Sequence, residues 1–191
     1  MRLSMIEVFA YWNELPDGTF VRNGTLIVSG GCPTVIGNAV LKNPGSARPL
    51  SYEPNEVYGD RLPFRPDATM HALADLFELD RRPGTVRLFN LYDFVDTDPV
   101  MARVIVLPTS DKVLEAISSD KLPTYLGWGK EWTWPVAKEF CTNIFKEIQP
   151  RSQYLHPEME KNPFTHPLYL MRYGNNRLRC KEIIKSFRTM L

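Results

Sequence analysis

The chain of 191 residues contains little cysteine, and its cysteines do not indicate a network of disulfide bonds. Its three cysteines, Cys32, Cys141 and Cys180, lie far apart and form no Cys-x-x-Cys pair. This number and spacing exclude a disulfide framework or a four-thiolate metal centre, and they are typical of a reducing cytoplasm. The three histidines add no recognisable metal-ligand spacing, so we expect neither a metal nor a cofactor.

Long apolar runs and an excess of either charge are also missing. No stretch of 18 apolar residues occurs, and residues 1–11 are too short and too polar for a signal peptide or a membrane span. Lys and Arg total 23 against 22 Asp and Glu. The resulting formal net charge of +1 gives no indication that the protein binds a polyanion. We expect a cytoplasmic protein without a membrane partner or an obligate protein partner.

The motifs of two common enzyme classes are absent as well. The glycine-rich segment 30–38 lacks the Gly-Lys-Ser/Thr ending of a phosphate-binding loop, and the Gly-x-Ser-x-Gly of serine hydrolases does not occur. No internal repeat, low-complexity tract or linker interrupts the chain. With 43% hydrophobic residues, residues 1–191 are expected to form one domain.

Apolar runs bounded by turn residues predict strands. Two such runs around the Pro16–Gly18 turn predict a hairpin over Glu7–Val28. Further predicted strands are Thr85–Leu91, Arg103–Leu107 (alternatively part of a short helix), Thr124–Gly129 and the short Tyr154–Leu155. The segment Gly30–Pro66 holds six prolines, which preclude long helices and predict a long loop of functional type.

Apolar residues at helical spacing predict four helices. Asp67 can cap the first, which runs to Glu78, because Asp accepts a hydrogen bond from a free N–H of the first turn. The others are Asp111–Ser119, Pro135–Ile148 and a C-terminal helix from about Arg177 that would bury Leu178, Ile184, Phe187 and Leu191.

Strands that alternate with helices predict an α/β fold, a three-layer α/β/α sandwich with a mostly parallel central sheet. Ligands of such folds bind at the carboxyl ends of the strands. The unusual sequence features follow predicted strands, and they are Gly30-Gly31-Cys32-Pro33, Asn90, Gly127-Trp128-Gly129 and His166-Pro167. We therefore expect a ligand site at this edge of the sheet, with Gly31, Cys32 and Pro33 among its substrate-binding residues.

Five short motifs follow one another along the chain. They read Asn43-Pro44-Gly45-Ser46, Asp67-Ala68-Thr69, Asn90-Leu91, Trp128-Gly129-Lys130 and His166-Pro167-Leu168-Tyr169-Leu170. Their order and spacing, over about residues 25–175, resemble the uracil-DNA glycosylase superfamily, and most of all a bacterial and phage branch of glycosylase-like proteins. The resemblance implies a DNA glycosylase that flips out a modified pyrimidine, cleaves its N-glycosidic bond and leaves an abasic site.

The resemblance also implies roles for two residues. In that superfamily negative charge builds up on the departing base, and His166 matches the residue that donates to it. Asn90 matches the residue that reads the edge of the base, since an amide donates and accepts in one plane. Taken singly, a buried amide and a histidine at a strand end are more often structural, and only their joint placement favours these roles.

The residue that positions water is left open. The superfamily has Asp or Asn where this chain has Cys32, and Asn43 is a second candidate for that position. Because Asn43 can hold a water molecule but cannot take its proton, Asp67, Asp93 and Asp60 are the candidate general bases. A helix cap explains Asp67 equally well.

Double-stranded DNA with a flipped-out base is the partner that the resemblance implies. Members of the uracil-DNA glycosylase superfamily insert an apolar wedge into the duplex from the loop after the histidine, and that loop corresponds to residues 168–177 here. The predicted nucleic-acid contacts are Leu170, Met171, Arg172, Tyr173, Arg177 and Arg179. Residues 172–191 hold six basic residues and one acidic residue, a local charge of +5 that leaves the remainder at −4, although a solvated basic helix face explains this equally well.

The segment Pro49–Pro66 suggests a class of substrate. Its tyrosines, carboxylates and amides, including Tyr58 and Asp60, suit a pocket for a polyhydroxylated substituent. A glycosylated phage cytosine is such a base, and its excision would be an antiphage defence, whereas an ordinary surface loop is the plainer explanation. The alternative function is a catalytically silent module that binds nucleic acid or a modified nucleotide, which the missing Asp or Asn at Cys32 favours.

Overall fold

The structure is a computed structural model that describes residues 6–18, 20–42, 45, 47–51, 60–92, 95, 110–129, 135–148, 164–174 and 178–191. Over these residues the chain has an α/β fold with a six-stranded mixed sheet and five helices. The strands are β1 (Ile6–Glu14), β2 (Phe20–Ser29), β3 (Val35–Leu41), β4 (Leu62–Phe64), β5 (Thr85–Asn90) and β6 (Thr124–Leu126). The helices are α1 (Ala68–Leu76), α2 (Ser110–Asp120), α3 (Pro135–Ile148), α4 (Pro167–Tyr173) and α5 (Leu178–Arg188).

The sheet has the strand order β4-β1-β2-β5-β3-β6 and combines both pairing types. β1 and β2 form the predicted hairpin, in which Trp12 lies opposite Arg22. β3 pairs in parallel with β5 and with β6, whereas β2 runs antiparallel to β5 and β4 antiparallel to β1. The prediction of a mostly parallel sheet is therefore wrong. The N-terminal hairpin of β1 and β2 pairs antiparallel with β5 through β2, and β4 adds a further antiparallel strand beside β1.

β3 lies within the segment that was predicted to be a loop. It occupies the position between β5 and β6, and its last five residues are buried. The prolines of Gly30–Pro66 exclude a long helix but leave room for a seven-residue strand. Continuous burial also gives β3 none of the polar and apolar alternation that marks a half-exposed strand. β4 falls in the same segment, so the loop prediction holds for only part of it.

Helices cover both faces of the sheet. On one face α1, α4 and α5 pack on a core that includes Ala39 and Leu41. On the other face α2 and α3 pack on a second core that includes Val40 and Leu126. Successive residues of β3 thus enter opposite cores, as the two-residue period of a strand requires.

Three of the predicted helices are confirmed in position. α1 follows Asp67, whose Oδ1 accepts a hydrogen bond from the Met70 N–H at 2.9 Å. α2 and α3 match their predicted ranges to within a residue. α5 also forms, but Leu178 is 73% exposed rather than buried, because the helix turns Ile183 and Phe187 toward the core.

Two strand predictions cannot be compared, since Arg103–Leu107 and Tyr154–Leu155 lie outside the described residues. Among the described helices, none has the length and apolar character needed to cross a lipid bilayer.

Candidate active site

A small cavity lies at the carboxyl ends of β3 and β5, on the face of the sheet that α1 and α4 cover. Its volume is about 110 Å³, and its walls are Arg22, Leu41, Gly45, Asp67, Thr69, Met70, Leu88, Asn90 and His166. The structure thereby brings Asp67, Asn90 and His166 together, although they lie on three separate elements. The edge formed by the ends of parallel strands is where α/β folds bind their ligands.

The Asn90 side chain is buried and has no hydrogen-bond partner in the part of the chain that the structure describes. The residue is 3% exposed, and both Nδ2 and Oδ1 are shielded from solvent. Leaving a buried polar group unsatisfied costs roughly 1–3 kcal/mol, so native proteins rarely keep one without a reason. A ligand in the cavity that offers one donor and one acceptor would satisfy this amide.

Asp67 caps helix α1 and also lines the cavity. Its Oδ1 caps α1 through the Met70 N–H, whereas its Oδ2 lies 3.9 Å from where a Cβ on Gly45 would be. Gly45 has a φ of +71°, a conformation that favours glycine, and it also lines the cavity. One carboxylate can therefore hold the helix with one oxygen and face the cavity with the other.

His166 reaches the cavity from the residue just before α4. Hydrogen bonds hold this segment against the end of β6, from the Gly129 N–H to the Phe164 carbonyl at 2.7 Å and from the Tyr125 hydroxyl to the Thr165 carbonyl at 2.5 Å. Burial lowers the pKa of His166 from 6.5, and the nearby Asp67 carboxylate partly opposes this shift. The imidazole is therefore neutral at neutral pH and can donate from one nitrogen while it accepts at the other.

Arg22 is the cavity residue that the sequence did not reveal. It lies on β2, it is 1% exposed, and its guanidinium sits over the rings of Phe64 at 4.7 Å and Trp12 at 5.7 Å. Burial lowers its pKa to about 10, an effect that Asp67 opposes and Arg48 adds to, so it stays protonated at neutral pH. Arginine is rarely buried in a protein, and its place within a predicted strand did not distinguish it from an exposed cation.

The placement of Gly31, Cys32 and Pro33 at this site is wrong. β2 runs antiparallel to β5, so its end lies at the opposite edge of the sheet, beside the start of β5. There the Thr85 hydroxyl donates to the Cys32 carbonyl at 2.7 Å, and the Thr85 N–H donates to the Thr34 carbonyl at 2.8 Å. Cys32 therefore cannot be the residue that positions water in the cavity.

Residues 168–173 of the predicted wedge loop are helical, and residues 175–177 lie outside the described residues. Leu170 is fully buried in α4, and Met171 and Tyr173 pack partly against the same core, so none of the three projects as a wedge. The run after His166 begins with proline, which favours the first turn of a helix, and Leu170 faces the sheet one turn later. Arg172 and Arg179 are exposed, as a contact to phosphate requires.

The remaining predicted site residues are distant from the cavity or outside the described residues. Asp60 is exposed just before β4 and is not part of the cavity wall. Asn43, Tyr58, Asp93 and Arg177 lie outside the described residues. Across the described part of the chain, no group of three or more His, Cys, Asp or Glu side chains is arranged to hold a metal ion.

Comparisons of the chain with protein-family models, with curated proteins and with solved structures give no match. What this site can do therefore has to follow from its own residues.

Proposed function

We propose that the cavity binds a nucleobase and that the protein is a DNA glycosylase, which hydrolyses the N-glycosidic bond of a flipped-out base. The unsatisfied amide of Asn90 carries this proposal, because a base edge presents a donor and an acceptor side by side in one plane. A cavity of about 110 Å³ is smaller than the roughly 300–1,000 Å³ of pockets for drug-sized molecules, which favours one small ring.

The other cavity residues supply the remaining chemistry. The neutral imidazole of His166 donates a hydrogen bond to a base oxygen as negative charge develops there. The free oxygen of Asp67 orients a water molecule toward the sugar and accepts its proton. Both groups line the same cavity as Asn90, so a base held there can contact Asn90 and His166 while its sugar faces the water at Asp67.

DNA is the proposed partner because a base reaches a site of this kind only when it leaves the duplex stack. The exposed cations of α4 and α5, Arg172 and Arg179 together with Lys181 and Lys185, offer a surface for the phosphate backbone. The antiphage role and the bulky glycosylated cytosine stay hypotheses, since residues 52–59 of the segment Pro49–Pro66, which suggested them, lie outside the described residues.

The test is the release of base from duplex DNA that contains uracil, glycosylated cytosine or no modified base. The wild-type protein should create abasic sites in a modified duplex, and His166→Ala or Asn90→Ala should slow this at least ~10²-fold. His71→Ala removes a partly buried histidine of α1 outside the cavity and should retain the activity. A wild-type protein that is folded yet inert on all three duplexes would refute the proposal.

The silent nucleic-acid-binding module loses its main support. The absence of Asp or Asn at Cys32 favoured that alternative, but Cys32 lies at the opposite edge of the sheet from the cavity. Binding of modified DNA by the wild type without any base release would nevertheless select that alternative.

A further inference from the structure

Arg22 is a buried cation in the wall of the cavity, and the proposed roles of Asn90, His166 and Asp67 make no use of it. A guanidinium that is 1% exposed has lost nearly all of its hydration, which is costly unless other groups replace it. The rings of Phe64 and Trp12 lie against it and Asp67 is near enough to favour its charged form. Arginine is the cation that tolerates such a setting best, because it is weakly hydrated and stacks on rings.

The position of this cation matches a need of the reaction. Arg22 lines the same small cavity as Asn90 and His166, so a base held by Asn90 lies beside the guanidinium. When the bond from C1′ to the base nitrogen breaks, its electron pair stays on the base and spreads onto the carbonyl oxygens. Water then adds to C1′ and gives its proton to Asp67, and the base anion later takes up a proton from solvent.

We infer that Arg22 is a catalytic residue that stabilises the negative charge of the departing base, a role that rests on the proposed glycosylase function. Two groups then share this charge, the fixed cation of Arg22 and the hydrogen bond from neutral His166. The aromatic rings hold the guanidinium in place before the reaction, so little reorganisation is needed as the charge develops.

The distinguishing test compares two leaving groups of different acidity, uracil and the more acidic 5-fluorouracil, in otherwise identical duplexes. Arg22→Met should slow uracil release about 10²–10³-fold, the effect of removing one charge-stabilising group. It should slow 5-fluorouracil release by a clearly smaller factor, because a more acidic base needs less help. Arg22→Lys keeps the charge and should recover part of the lost uracil rate.

The outcomes separate the two proposals. A wild type that releases neither of these bases, nor glycosylated cytosine, overturns the glycosylase function and the role of Arg22 with it. Release by wild type with an equal loss on both bases in Arg22→Met overturns the role of Arg22 alone, since a structural defect does not sense base acidity. Circular dichroism checks the fold, and Arg22→Gln, a shorter neutral polar variant, takes the same test where Arg22→Met does not fold.

Discussion

Asn90 and Asn38 are buried amides on the neighbouring strands β5 and β3, and they differ in what surrounds them. Asn38 is fully buried, accepts from the Arg87 Nε–H at 2.9 Å and donates to the Thr124 hydroxyl at 3.3 Å. Asn90 has no such partner within the described residues and borders the cavity. A site kept for ligand binding at the expense of stability shows this pattern.

The same substitution at both positions should therefore have different effects on stability. Asn38→Leu should lower the free energy of unfolding by about 1–3 kcal/mol, because it leaves the groups that were hydrogen-bonded to the amide without that partner. Asn90→Leu should leave it unchanged or raise it by up to about 1–3 kcal/mol, because it removes an unsatisfied group and the cavity has room. Urea unfolding measures both, and an equal loss in the two variants would show that Asn90 is satisfied.

His166 makes stability depend on pH. Because burial lowers its pKa in the folded state, the unfolded chain binds more protons between that value and 6.5. The free energy of unfolding should thus rise with pH across this window, and it should fall as the solution is acidified from 6.5. Unfolding curves at a series of pH values should show a smaller slope in His166→Gln than in wild type. An unchanged slope in His166→Gln would contradict this account.

At the scale of the element, helix α1 is capped by Asp67, the residue that the proposed reaction also needs. Asp67→Asn and Asp67→Ala both remove the charge, but asparagine caps a helix as well as aspartate does. The alanine variant should therefore be about 1 kcal/mol less stable than the asparagine variant. Base release should fall in both, by about 10²–10⁴-fold, since neither accepts a proton. Full activity in Asp67→Asn would show that Asp67 is only a cap.

The elements with a local signal were predictable from the sequence, and those that depend on neighbours were not. The hairpin turn at Gly18 and the apolar spacing of α3 are local, whereas β3 is recognisable only once β5 and β6 flank it. The direction of β2 relative to β5 decides which residues reach the cavity. Because no local sequence pattern encodes this direction, Cys32 was wrongly predicted to lie at the cavity, and Arg22 was not predicted to lie there.

At the scale of the whole molecule, a net charge of +1 conceals an uneven distribution. The basic C-terminal residues that the structure describes lie on α4 and α5, which border a groove of about 690 Å³. Arg188 is engaged there, since it donates to the Asp75 carbonyl at 2.7 Å. Lys181 and Lys185 line the same groove and form no ion pair with any described residue. Met171 of α4 also lines this groove, five residues after His166, which corresponds to about 7.5 Å along the helix axis at ~1.5 Å per residue.

Lys181 and Lys185 should therefore contribute phosphate contacts rather than base recognition. The double substitution Lys181→Gln and Lys185→Gln should weaken the binding of any duplex and reduce the slope of log K against log salt by up to about 2, since each lost phosphate contact removes about 0.9. The preference for a modified duplex should persist. A matched pair, Lys138→Gln with Lys146→Gln, removes two exposed lysines from α3 on the opposite face and should leave the slope unchanged. Equal slopes in both double variants would place the DNA elsewhere on the molecule.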